Sequence, residues 1–173
     1  MEALYDELAP FGLPLVCAGG VGDVDDYVRA LAAGYVGVQM GTRFIATAEC
    51  TAHARYKQAI VEAEERDIVL TERLTGVPVA VINTPYIQRI GLRAGPLARF
   101  MLRGRRTKKW MRTLYAARSI LSLKQSNARG DASRDYWQAG RSVAGVEAIE
   151  SVAAILERFR QARIPGAVAP HPT

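Results

Sequence analysis

Two short apolar runs, LPLVCA at residues 13–18 and YVGVQM at residues 35–40, each break directly into glycine, as Gly19-Gly20 and as Gly41. Nothing else in the chain restricts its fold so tightly. Unbroken apolar runs of this length are expected of strands covered on both faces. Between them Val24, Tyr27, Val28 and Leu31 recur at helical spacing, with Asp23 placed as N-cap and Gly34 as stop. A helix over residues 3–8 precedes them and is closed by Pro10-Phe11-Gly12. The order helix, strand, glycine turn, helix, strand, glycine turn predicts parallel βα units.

Beyond residue 47 the period changes. Residues 51–66 read as an amphipathic helix, and residues 68–72 and 77–82 as two strands joined around Thr75-Gly76. Pro85, Gly91, Gly95 and Pro96 mark an irregular crossing, and 97–124 read as one or two basic helices. A polar linker, QSNARGDAS, follows. Val146, Ile149, Val152, Ile155, Leu156 and Phe159 then predict a final helix, and the Pro-rich end reads as a disordered tail.

Composition removes several classes of function. The 173 residues suit one domain with a substantial excursion, and 49% hydrophobic against 23% charged residues supports a buried core. No run reaches the roughly 18 apolar residues of a membrane span, and the acidic start, MEALYDELAP, is unlike a signal peptide. Cys17 and Cys50 cannot build a disulfide framework or a thiolate zinc site, so a reducing cytoplasm is the expected location. His53 and His171, the only histidines, leave little for imidazole catalysis or metal binding, and no catalytic or metal-ligating set can be assembled. Cys17, in a buried strand, reads as a small core residue.

The net charge of +6 conceals an asymmetry: residues 73–130 hold thirteen Lys or Arg and no Asp or Glu. RGRRTKKWMR, with Trp110 among its basic residues, could grip phosphates, but no nucleic-acid reading motif accompanies it. A solvated helical face is the expected role, and nucleic acid is not an expected partner.

The chemistry-bearing residues are the turns. In parallel βα folds, ligands sit at the carboxyl ends of the strands. Glycine there lets main-chain N–H groups approach a phosphate with no Cβ in the way, and the helix after Asp23 would add its N-terminus. Thr42 adds a hydroxyl donor. Each turn alone could be mere strand-to-helix geometry; two turns one βα unit apart favour a phosphate-bearing ligand. VCAGGVGD lacks the GxGxxG spacing of a dinucleotide fingerprint.

The run CAGGVGDVDDYVRALAAGYVGVQMGTRFIAT resembles the last two βα units of the nitronate monooxygenase family, formerly 2-nitropropane dioxygenases. The likeness continues through ECTAHARYKQAI, VLTERLTGVPVAVI and DYWQAGRSVAGV, over most of residues 1–163. It implies an α/β chain forming the C-terminal part, the last two βα units and closing helix, of a (β/α)8 TIM barrel with an inserted, mostly helical α+β subdomain. On that reading residues 1–47 carry barrel strands 7 and 8, 48–140 the insertion, 141–163 the closing helix and 164–173 the tail. FMN is the implied cofactor. Gly20 matches the seventh-strand phosphate turn, Gln39, Met40, Gly41 and Thr42 the eighth-strand segment, and Ala18 and Gly19 the same pocket. The resemblance implies oxidation of alkyl nitronates with O2, or electron passage from NAD(P)H to a quinone; enoyl reductases are related.

The departures matter as much. A full barrel takes about 250 residues and eight strands, and here two barrel strands are legible. The family's catalytic histidine belongs to an earlier strand, and neither His53 nor His171 matches it. The chain is therefore expected to be a C-terminal portion, inactive alone, that needs the missing N-terminal barrel half. Two strands by themselves would leave pairing edges and an apolar face uncovered. Tyr86, Tyr136 and Trp137 are expected to pack at a domain junction, with Gln138 and Gly140 nearer the cofactor.

Overall fold

The computed structural model describes residues 2–75, 77–93 and 130–162. The expected basic helices at 97–124, the start of the polar linker and the tail at 164–173, with His171, lie outside the described residues.

The first unit follows the sequence closely. Helix α1 (Glu2–Leu8) runs into a 3-10 turn (Ala9–Phe11) that stops at Gly12, whose φ is +68°. Strand β1 (Val16–Ala18), helix α2 (Val24–Ala32) and strand β2 (Gly37–Gln39) form the predicted βαβ unit. Both strands are shorter than the apolar runs that announced them. They pair in parallel, with Val16 opposite Gly37, Cys17 opposite Val38 and Ala18 opposite Gln39. Asp23 caps α2 as expected, accepting from the Asp26 N–H at 2.8 Å. Gly34, at φ +105°, ends it, and the Tyr5 ring occupies the space a Cβ would need. Cys17 is buried in the sheet's core face with Val21, Ala30 and Tyr35.

After β2 a short helix α3 (Thr42–Ile45) leads to α4 (Ala54–Glu62). The helix expected over 51–66 is trimmed at both ends by local chemistry. The His53 ring accepts from the Arg55 N–H at 3.1 Å and so caps α4. At the far end Glu64 and Asp67 form a reciprocal capping box around the 3-10 turn Glu65–Asp67. Strands β3 (Ile68–Thr71) and β4 (Val79–Ile82) pair antiparallel as a second sheet, Ile68 opposite Ile82.

Residues 85–90 correct one expectation. The crossing read as irregular contains helix α5 (Pro85–Ile90). Pro85 occupies its first turn, where a missing N–H costs nothing, and Thr84 caps it by accepting from the Ile87 N–H at 3.4 Å. Gly91 stops it at φ +79°. The Thr-Pro start and Gly stop were helix signals that the proline masked. The final helix is likewise shorter than its periodicity: α6 spans Val152–Gln161, while Val146 and Ile149 lie in an irregular stretch after a 3-10 turn (Arg141–Gly145).

Three apolar clusters hold the described residues together. Ile155 and Phe159 of α6 close the βαβ cluster, Phe159 meeting Tyr27 edge-on at 5.1 Å. Tyr56 and Ile60 of α4 gather Ile82, Trp137 and Val143. Leu74, Val81, Ile87 and Tyr136 form the third, beneath the second sheet. No helix among the described residues is long and apolar enough to cross a membrane.

Candidate functional site

Because Ala18 and Gln39 are register partners, β1 and β2 end side by side and their glycine turns leave from the same end of the sheet. The Gly19 N–H donates to the Gln39 carbonyl at 3.4 Å, tying the two turns directly. Gly19 and Gly20 hold successive left-handed backbones, φ +86° and +74°, which a residue with a Cβ adopts at a cost of about 1–2 kcal/mol. Gly41 has φ −114°, open to any residue. Its use is different: a Cβ on Gly19, Gly20 or Gly41 would meet nothing within 4 Å, so open space faces both turns. The N–H groups of Gly20, Gly41 and Thr42 find no acceptor among the described residues. That is the arrangement an oxyanion needs.

The other predicted site residues divide. Ala18 and Gln39 are exposed at the strand ends. Met40 is half-buried against the Cys17 cluster, so only its main chain reaches the turn face freely. Thr42 is buried, and its hydroxyl oxygen accepts from the Gly140 N–H at 3.0 Å. Its proton is still available to a second acceptor.

The expected help from the α2 N-terminus is partly taken by the helix's own carboxylates. Asp23 takes the Asp26 N–H, and the Asp26 carboxylate takes the Gly22 N–H at 3.0 Å. With Asp25, three carboxylates already answer the positive end of the dipole.

Sequence reasoning singled out Gly140 but passed over the rest of residues 140–150. Besides Gly140, this stretch supplies Ala148, whose carbonyl accepts from Arg43 at 3.2 Å, and Glu150, which forms an ion pair with Arg43 and another with Arg158 of α6. Arg43 is 2% exposed. Burial lowers its pKa, and the Glu150 carboxylate opposes that shift. The sequence carried no signal for these contacts, because the approach of Gly22 to Gly145 exists only in the folded chain.

The aromatic residues weighed for the cofactor pack as core. Trp137 stacks on Tyr56 with ring centroids 5.8 Å apart, and Tyr136 is fully buried in the third cluster. The Tyr56 hydroxyl donates to the Gln138 carbonyl, and burial raises its pKa well above the usual range. Lys57, also buried, donates to the Thr47 carbonyl at 2.6 Å. Among the described residues no three His, Cys, Asp or Glu side chains are grouped to hold a metal.

An apolar hollow of about 410 Å³ lies between α1 and β1, lined by Leu4, Leu8, Val16 and Tyr35 and ending at Ala18 and Gly20. Beside it Phe11 and Leu13 are exposed, at 74% and 68%. The edge of β1 opposite β2 pairs with no strand among the described residues.

The chain is similar to several known proteins. The chain is 38% identical over 78 residues to a probable nitronate monooxygenase of Staphylococcus saprophyticus, covering 45% of this chain and 22% of that protein. It is 29% identical over 171 residues to the (3aS,4S,5R,7aS)-5-hydroxy-7a-methyl-1-oxo-octahydro-1H-indene-4-carboxyl-CoA dehydrogenase of Mycobacterium tuberculosis, covering 84% of this chain and 48% of that enzyme. Among solved structures, FabK from Thermotoga maritima superposes with a TM-score of 0.65 at 28% identity, over 92% of this chain and 49% of that one. A nitroalkane oxidase from Streptomyces ansochromogenes shares the fold, with a TM-score of 0.69 at 21% identity, over 93% and 42%. The chain thus spans about half the length of the mycobacterial relative and of the Thermotoga structure. These neighbours are TIM-barrel oxidoreductases, and the family implies a flavin. The family model for nitronate monooxygenase matches residues 2–161, nearly the whole chain, and the chain belongs to that family.

Proposed function

We propose that this chain carries the phosphate-binding end of an FMN site in a nitronate monooxygenase-type oxidoreductase. The single observation behind the reading is the pair of glycine turns, joined through Gly19 and Gln39, with N–H groups that find no acceptor among the described residues and with open space beside Gly19, Gly20 and Gly41. Gly20, Gly41 and Thr42 would donate to the phosphate oxygens, with Ala18, Gly19, Gln39 and Met40 lining the same pocket. When bound, the flavin would supply redox chemistry with an alkyl nitronate and O2, or between NAD(P)H and a quinone. The chain's own part is to hold and orient the phosphate end. His53 caps α4 through its ring nitrogen and is not matched to the family's catalytic histidine. The base and the remaining barrel strands would then come from outside residues 1–173. In that arrangement residues 1–47 and 141–163 are barrel parts and 48–140 the insertion. The exposed Phe11, Leu13 and Val16 and the open β1 edge are where the other barrel half would dock. The enoyl reductases related to the family give the alternative reaction on the same phosphate site.

Titration of the isotopically labelled chain with FMN, followed by amide NMR, tests the reading. FMN is expected to move the Gly20, Gly41 and Thr42 amides, and riboflavin, which lacks the phosphate, to leave them still. Equal responses to the two compounds, or none at those amides, would overturn it. Separately, the chain alone is expected to show no flavin-dependent O2 consumption with an alkyl nitronate.

A further inference from the structure

One stretch of chain touches both turns. On the first-turn side, a Cβ on Gly22 would lie 2.2 Å from the Ser142 carbonyl oxygen and 3.0 Å from the Gly145 Cα. The approach is equally close from the other side, because a Cβ on Gly145 would lie 2.8 Å from the Asp23 nitrogen. Two backbones meet there with no room for a side chain on either. Around the second turn, Gly140 donates to Thr42, and Arg43 reaches the Ala148 carbonyl and the Glu150 carboxylate. The Glu150 carbonyl also accepts from the Ala48 N–H at 2.9 Å, just past α3. Glu150 is held in turn by Arg158 on α6.

β1 and β2 alone join the turns through one long hydrogen bond, Gly19 to Gln39 at 3.4 Å. Strands of three residues have little stiffness of their own. The contacts with residues 140–150 are shorter, more numerous and partly buried. We infer that residues 140–150 act as a positioning brace, setting the distance between the two phosphate turns through the Gly22–Gly145 contact on one side and the Arg43–Glu150 pair on the other. Gly22, Gly145, Arg43 and Glu150 are positioning residues in this scheme, since they act on the donors rather than on the phosphate. The inference deepens the FMN reading and takes its ligand from it, but the coupling between turns exists without any ligand.

The test substitutes each end and reads the opposite turn. Glu150→Gln removes the charge from the pair beside the second turn; Gly145→Ala forces apart the contact beside the first. Native-state hydrogen exchange is followed at Gly22 N–H, bonded to Asp26, for the first turn, and at Phe44 N–H, bonded to the Gly41 carbonyl at 3.0 Å, for the second. Either substitution is expected to speed exchange at both reporters by about tenfold or more, as a shared local opening requires. The Gln88 N–H in α5, bonded to the Thr84 carbonyl and not to the brace, should be unchanged. Gly37→Ala, whose Cβ meets nothing within 4 Å, serves as a control that moves neither reporter. If each substitution loosens only the turn it touches, or loosens Gln88 equally, the brace is wrong. Should Gly145→Ala fail to fold, Glu150→Gln and Arg43→Lys still decide the matter. Parallel FMN and riboflavin titrations separate the two ideas. Coupled exchange with a selective loss of the FMN response supports both; coupled exchange in a chain that never responds to FMN sinks the cofactor reading and leaves the brace.

Discussion

Thr42, expected to donate its hydroxyl at the second turn, is an acceptor in the folded chain. The small residue after Gly41 signalled a polar turn, but its buried oxygen receives the Gly140 N–H from far along the chain. Thr42→Val should leave that N–H without a partner and cost about 1–3 kcal/mol in urea unfolding, with Thr42→Ser recovering most of it. An unchanged midpoint for Thr42→Val would show that Gly140 finds another acceptor. Tyr56 carries a pH dependence of definite sign. Burial raises its pKa from the ordinary 10.0, so the folded state keeps the proton after the unfolded chain has lost it. The stability contributed by the neutral hydroxyl is complete below pH 10 and falls as pH rises beyond it. Tyr56→Phe is expected to flatten that alkaline decline while lowering stability at neutral pH, where the bond to Gln138 is lost. Parallel alkaline limbs for the two proteins would contradict this.

Among the elements, those specified by their own residues were legible and those specified by neighbours were not. Helix α2 is the clearest case, with its cap, apolar stripe and glycine stop all written locally. Asp23→Ala should cost about 1 kcal/mol and fray the first turn of α2, seen as faster exchange at Asp26. No change there would mean the Asp26–Gly22 contact suffices alone. Helix α5 was obscured by the same proline that starts it, and α6 by an apolar period that continues upstream through residues buried for other reasons. Val146 is buried by the α4 cluster rather than by a helical face of α6. Periodicity records burial, and burial here has two sources. The 140–150 brace has almost no local signature, because its contacts are to carbonyls and glycines whose proximity depends on the folded chain.

For the molecule as a whole, the described residues bury three modest clusters yet leave Phe11, Leu13, Val16 and Val36 exposed around a two-stranded sheet. Such an open apolar edge favours association with another chain. Sedimentation velocity of the isolated chain should show weight-average mass rising with concentration, and Val16→Lys, which places a charge on the edge strand, should reduce that rise. A strictly monomeric chain at every concentration would remove the need for a completing barrel half. The α/β class, the parallel βα order, the family and the paired glycine turns were all carried by local pattern: apolar runs too short for helices, caps, stops and residues without a Cβ. Spatial relations were not. That Thr42 and Arg43 are anchored by residues about a hundred positions away and that Gly22 meets Gly145 follow from long-range packing, since backbone polar groups find their partners only once the chain has closed on itself.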